Sequence, residues 1–242
     1  MRINNRHTHA KIFEDDAATM RGTAVNAIAS GISLAGAYLY DIDLSYISFA
    51  QNDLSDTDLD HADLRHTDLS HCSLANASLR EANLADANLY GATLTETDLT
   101  DADFDEANLT SARLHRAVLV RTAMIRSVLR GADLTQIDAR SAYFDGADLS
   151  DADLSGADLY RARFKKVDLT RTRFTGADVS GAVFEANTSL AIDLTVSNRV
   201  SASAQTASPR VTRYAAPVDL HANCGYYGTC VANLIDPNVK RC

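Results

Sequence analysis

The sequence predicts an all-β chain wound into a coil of short repeated sides, and three observations carry that prediction. From Leu34 to Phe184 every fifth residue is apolar without one slip of register, giving 31 positions that hold 22 Leu, 6 Phe, Met124, Ala139 and Val179. Two residues before each of them stands a mostly small side chain, Ala in 18 cases. Only 3 Pro, 7% aromatic residues and no Trp accompany 46% hydrophobic residues, so small units have to fill the core. Internal repetition at a fixed period outranks local propensity as evidence of architecture, and it marks residues 32–186 as one array.

A period of five fits neither the 3.6 of a helix nor the 2 of a flat strand, and a helix would spread these leucines around its circumference. A turn in every unit resolves the mismatch. The small residue and the Leu point inward across a short extended segment, the residue between them points outward, and the remaining two round a corner. Each unit then forms one side of a coil.

The units Ala82-Asn83-Leu84-Ala85-Asp86, Ala132-Asp133-Leu134-Thr135-Gln136 and Ala152-Asp153-Leu154-Ser155-Gly156 resemble the A(D/N)LXX unit of pentapeptide-repeat proteins. The resemblance implies a right-handed quadrilateral parallel β-helix with four units and twenty residues per coil, a handedness that agrees with the general rule for parallel crossovers. Residues twenty apart then stack at about 4.8 Å, and nearly eight coils make a rod roughly 37 Å long. One interior column runs Leu44, Leu64, Leu84, Phe104, Met124, Phe144, Phe164 and Phe184, which gathers aromatic rings on one wall.

Before the array, residues 1–31 read as an N-terminal cap. Glu14-Asp15-Asp16 suits a helix start, Met20, Ala24 and Ile28 recur at helical spacing, and Gly31 ends the segment. Such a cap covers a backbone edge that would otherwise invite edge-to-edge pairing. After the array, residues 187–242 read as a linker or flexible extension. Residues 195–209 are rich in Ser, Ala and Thr, and the tail holds Pro209, Pro217 and Pro237.

A net charge of −9 disfavours direct nucleic-acid binding and favours a basic protein partner. Residues 32–111 hold 16 acids and only Arg65 and Arg80, whereas residues 112–131 hold five arginines and no acid. Along four coils the first segment carries about one net charge per 1.4 Å, beside about one per 1.7 Å in duplex DNA. Asp41, Asp58, Asp60, Glu81, Asp98 and Asp101 fall on one side, with Asp43, Asp63, Asp86, Asp103, Asp105 and Glu106 on the next. These form an acidic ridge with two readings. As a partner-binding surface it competes for a DNA-binding groove, and the resemblance implies DNA gyrase or topoisomerase IV, since the family's quinolone-resistance members are regarded as DNA-like rods. As plain chemistry it keeps a rod soluble.

A second candidate surface is the belt of Arg113, Arg116, Val118, Val120, Arg121, Ile125, Arg126, Val128 and Arg130. Its valines and isoleucine occupy outward positions beside arginine, as in an interface core. The alternative is a coil that neutralises acidic neighbours above and below, with valine tolerated for its β-propensity.

No catalytic, cofactor or metal site is expected. His61, His66 and His71 stand five apart, so they leave different sides and cannot converge on one ion. Asp138, Asp158 and Asp178 stack at about 4.8 Å on a convex side without a cleft. His7-Thr8-His9 reads as a mobile terminus. Cys72 reads as a core residue in an inward slot, and Cys224, Cys230 and Cys242 as no disulfide framework. No stretch approaches the roughly 20 apolar residues of a membrane span and the start lacks a secretory apolar run. The expectation is a cytoplasmic, non-catalytic protein-binding rod without membrane contact, whose aromatic-walled end near Phe184 is either capped or pairs with another rod as a homodimer. The alternative is a structural or regulatory scaffold or a secreted bacterial effector.

Overall fold

The computed structural model describes residues 1–187, so the expectations for the C-terminal extension and its three cysteines lie outside the described residues. Along the array, residues twenty apart pair in parallel, from Tyr38 with Asp58 through Asp63 with Asn83 to Asp158 with Asp178. The last pairing is regular enough to form strands, β3 at Arg163–Lys165 against β4 at Val183–Glu185. Twenty residues, or four five-residue units, therefore bring the chain back to the same side of the coil. Leu64 and Leu84 are both fully buried, as are Ala62 and Ala82 two residues before them.

In a unit such as 82–86 every amide has a partner, which explains the composition of the repeat. In the unit 82–86 the Asn83 amide donates backward to Ala62 (3.0 Å), and those of Leu84 and Asp86 donate forward to Asp103 (2.6 Å) and Asp105 (2.9 Å). The Ala82 amide closes the preceding corner on the Leu79 carbonyl at 3.2 Å. The Ala85 amide donates to the Asn83 side-chain oxygen at 3.0 Å. That last bond recurs from the Asp60 amide to Asp58 and from the Ser150 amide to Asp148. Asp and Asn are favoured at the outward position because their oxygen reaches the amide two residues on.

The corners carry a backbone constraint that the period alone does not reveal. All 31 second corner residues, from Gly36 to Ala186, have positive φ, and 24 of them are not glycine. With the bond between the residues flanking the corner, this is the geometry of a type II turn. Left-handed backbone costs a non-glycine residue on the order of 1 kcal/mol, and the forward amide bond made at the corners from Gly36 to Lys166 offsets it. Asp41, Asp56, Asn76 and Asp86 fit the preference of Asp and Asn for this region.

The N-terminal end is closed by a hairpin as well as a helix. Strands β1 (Arg2–Asn4) and β2 (Lys11–Glu14) pair antiparallel. The other edge of β1 continues onto the first coil, where Tyr38 donates to Asn4 at 2.9 Å and Arg6 to Gly36 at 2.7 Å. This corrects the expectation of a mobile His7-Thr8-His9 segment. Those residues form the hairpin turn, with the His7 and Thr8 amides held by Asn5 Oδ1 at 3.0 and 2.9 Å. Helix α1 spans Met20–Ala29 and is capped by Thr19, whose hydroxyl accepts from the Gly22 amide. Glu14, Asp15 and Asp16 therefore precede the helix instead of opening it. Asp15 braces it from outside, accepting from Thr23 Oγ1 at 2.8 Å and Asn26 Nδ2 at 2.6 Å. Ala24 and Ala27 of α1 are buried with Ile3 against the first coil.

The aromatic wall forms as the column predicts. Phe164 stacks between Phe144 and Phe184 with centroids 4.9 and 4.8 Å away, and Phe174 meets Phe164 edge-on at 6.2 Å.

Candidate protein-binding surface

The register places Asp41, Asp58, Asp60, Asp98 and Asp101 on one side of the rod and Asp43, Asp63, Asp103, Asp105 and Glu106 on the next. Their electrostatics are less uniform than their charge. Asp43 meets Arg21 at 2.9 Å, Asp63 meets Arg65 at 2.6 Å and Asp98 meets Arg80 at 3.0 Å. Asp101 and Glu106 are engaged by Arg121 and Arg126 of the following coil. The other five, Asp41, Asp58, Asp60, Asp103 and Asp105, have no ion-pair partner among the described residues. The sequence showed the acid surplus, but Arg21 and its reach to Asp43 from α1 depend on how the cap docks.

Local bonds set the carboxyl pKa values. Bonds from the Ser45 hydroxyl and amide hold Asp43 below the usual carboxylate range, and the Arg65 bond does the same for Asp63. Burial acts against ionisation of Asp98, yet bonds from Thr100 and Arg80 outweigh it and the net shift is downward. Asp105 moves the other way. Burial raises it, reinforced by Asp103 and Glu106, against the Ile125 amide bond of 2.9 Å and the more distant charge of Arg126. Asp60 has a similar structural duty: its Oδ1 accepts from the Arg80 amide at 2.9 Å and from the Ser78 hydroxyl at 2.5 Å.

The belt occupies a single coil, so its members look outward in four directions. Val118, Val120 and Ile125 are half-buried and Val128 is 36% exposed. Val118 lies between Asp98 and Asp138, and Val128 between Asn108 and Asp148, so polar neighbours separate the apolar members. Arg116 reaches Glu96 at 3.5 Å, Arg121 and Arg126 hold the ridge acids already named, and Arg130 stands 4.0 Å from Asp151. Arg113 pairs in the ladder between Thr93 and Asp133.

The other clusters that look chemical are dispersed. His61, His66 and His71 occupy successive corners, their rings against Tyr40 (5.1 Å), Tyr46 (4.7 Å) and Tyr90 (5.3 Å). No group of three His, Cys, Asp or Glu among the described residues is placed to hold a metal ion. Asp138 and Asp158 flank Arg140, at 2.7 and 3.8 Å. Cys72 is buried, and burial pushes its thiol up to about 12, as expected of a core residue and not of a nucleophile. No helix among the described residues is long and apolar enough to cross a membrane. A cleft of about 380 Å³ opens between the hairpin turn and the first coils, lined by residues that include His7, His9, Tyr38 and Asp58.

Paired coils of five-residue sides, a buried and mainly apolar interior and outward residues in ladders define a β-helical repeat rod. The chain belongs to the pentapeptide-repeat family: the family's repeats match residues 32–70, 62–101, 107–146, 124–161 and 147–185. No curated protein matches it. Among solved structures, a pentapeptide repeat protein of the Arabidopsis thaliana thylakoid lumen is 30% identical over 45% of this chain and 69% of its own, with a TM-score of 0.37. HetL of the cyanobacterium Nostoc, a pentapeptide repeat protein involved in heterocyst differentiation regulation, is 28% identical over 71% of this chain and 95% of its own, with a TM-score of 0.22. QnrB1, a plasmid-mediated fluoroquinolone resistance protein, is 20% identical over 61% of this chain and 80% of its own, with a TM-score of 0.38.

Proposed function

We propose that the protein is a cytoplasmic, non-catalytic, right-handed quadrilateral rod that binds a basic protein surface through its acidic first four coils, and that this surface is the DNA-binding groove of DNA gyrase or topoisomerase IV. The observation that carries the reading is the acid surplus of residues 32–111, with Asp41, Asp58, Asp60, Asp103 and Asp105 free of cationic partners among the described residues. Carboxylates without an internal counterion keep their field for a partner, and such a field steers association with a positively charged groove. Pairing of two rods through the end near Phe184 belongs to the same proposal, and sedimentation of the full chain measures it.

The test is gyrase supercoiling with and without a fluoroquinolone. The parent is expected to change supercoiling or its inhibition, and a variant with those five aspartates changed to Asn is expected to lose the effect. A second variant, Asp98→Asn with Asp101→Asn, removes two acids already held by arginine and is expected to keep most of it. No effect of the parent at any concentration overturns the topoisomerase reading.

A further inference from the structure

The later coils contain a motif that the first coils hold only in part. Tyr143 pairs in the ladder with Arg163 of the next coil. The Arg163 guanidinium lies 5.4 Å from the Tyr143 ring centroid and 2.6 Å from an Asp145 carboxylate oxygen. Tyr160 likewise carries Arg161 over its ring at 5.0 Å. In these coils an outward tyrosine is covered by an arginine of the chain itself.

At the start of the rod the ring and the carboxylates are present, and the guanidinium is not. Tyr38 and Tyr40 are 50% and 45% exposed, with parallel rings 6.1 Å apart. Tyr38 pairs in the ladder with Asp58, and the register sets Asp60 beside Tyr40. Neither aspartate has an ion-pair partner among the described residues. The nearby Arg6 is turned onto the carbonyls of Thr57 and Asp56, at 2.7 and 3.4 Å. The cleft described above opens beside Tyr38 and Asp58, so the site is accessible from the hairpin side.

We propose that the outward side formed by Tyr38, Tyr40, Asp58 and Asp60 receives an arginine side chain from a partner protein, completing in trans the ring–guanidinium–carboxylate arrangement that Tyr143, Arg163 and Asp145 complete in cis. Arginine fits better than lysine because a planar guanidinium stacks on a ring while presenting a fork of donors to carboxylates. The inference deepens the reading of the acidic coils as a protein-binding surface and rests on it, but it does not require a topoisomerase.

The experiment uses the full chain and a dye-labelled, end-blocked peptide of alternating Gly and Arg, followed by fluorescence anisotropy. Matching peptides carry citrulline, which keeps the shape without the charge, or lysine. The arginine peptide is expected to bind, the citrulline peptide not, and the lysine peptide several-fold more weakly. Asp58→Asn with Asp60→Asn, and separately Tyr38→Leu with Tyr40→Leu, should each weaken arginine-peptide binding by about fivefold or more. Asn can keep the backbone bonds that both aspartates accept, and melting curves check that every variant folds. A control with equal charge change on other sides, Asp133→Asn with Asp148→Asn, should have less than about a twofold effect.

No binding, equal binding of the arginine and lysine peptides, an inert tyrosine pair, or a control as damaging as the aspartate pair each overturns the proposal. Peptide binding by a rod that leaves supercoiling untouched keeps this inference and removes only the topoisomerase.

Discussion

Up to residue 111 the rod's corners are mostly His, Asp, Asn, Glu or Ser, and its basic residues are Arg65 and Arg80. From Arg113 onward nearly every coil offers arginines to acids one coil away, as in Arg116 with Glu96, Arg171 with Asp151 and Arg173 with Asp153. Both halves wind on the same backbone ladder. The contrast shows that inward positions and the outward Asp or Asn answer to the fold, while the remaining outward positions are free to set charge. A half that supplies its own cations keeps little field for a partner.

The largest effects should come from the core. Phe164→Ala removes a ring stacked on both sides and is expected to cost about 3–5 kcal/mol, against about 2–5 kcal/mol for Leu84→Ala in the same column. Thermal unfolding followed by far-ultraviolet circular dichroism ranks them, and a Phe164→Ala melt that matches the parent removes the aromatic wall as a stabilising feature of the later half. Ala152→Leu should follow, at about 1–3 kcal/mol, because an inward slot sized for a methyl group has no room for a branched chain.

Next in size is a change that should affect the two halves alike. Asn83→Ala and Asp148→Ala each take the acceptor from an amide two residues on, and each should lose about 1 kcal/mol. Asn83→Asp keeps the acceptor and should be close to neutral. Unequal losses from the two alanine variants would mean that the halves do not share one rule.

Much of this architecture was legible in the sequence because the fivefold beat is long and unbroken. Leu84 and Ala82 fall inward as the beat requires, and once twenty residues make a coil, Arg121 beside Asp101 follows by subtraction. Three things were not legible. The positive φ of residues such as Glu81 or Arg116 hides behind side chains with no special liking for it. The hairpin of β1 and β2 is too short to show a period. The local duty of Asp58 and Asp148 toward the amide two residues on is invisible in composition, where an acid reads only as charge. For the candidate surface, the sequence counted the acids but could not say which carboxylates are already held.

The smallest effects sharpen the comparison to single carboxylates on one side of the rod. Asp63 is bonded to Arg65, and its folded pKa is lowered. Its contribution to stability is therefore present above the ordinary carboxylate pKa of about 4 and is lost as pH falls through the folded value. Asp105 has no arginine within ion-pairing distance, and burial raises its pKa. Its favourable contribution lies below about pH 4 and is lost as pH rises through the folded value, so at neutral pH the charged form opposes folding. Removing each charge should thus act with opposite sign at pH 7: Asp63→Asn melts below the parent and Asp105→Asn above it. The Asp105 difference should shrink at about pH 3, where its raised pKa leaves the parent carboxyl largely protonated, whereas the Asp63 difference shrinks only as pH falls through its lowered folded value. Melts at the two pH values decide the matter. An Asp105→Asn variant less stable than the parent at pH 7 would mean that the Ile125 amide needs a full negative charge at this position, and that the carboxylates without arginine partners are placed for the fold first and for a partner second.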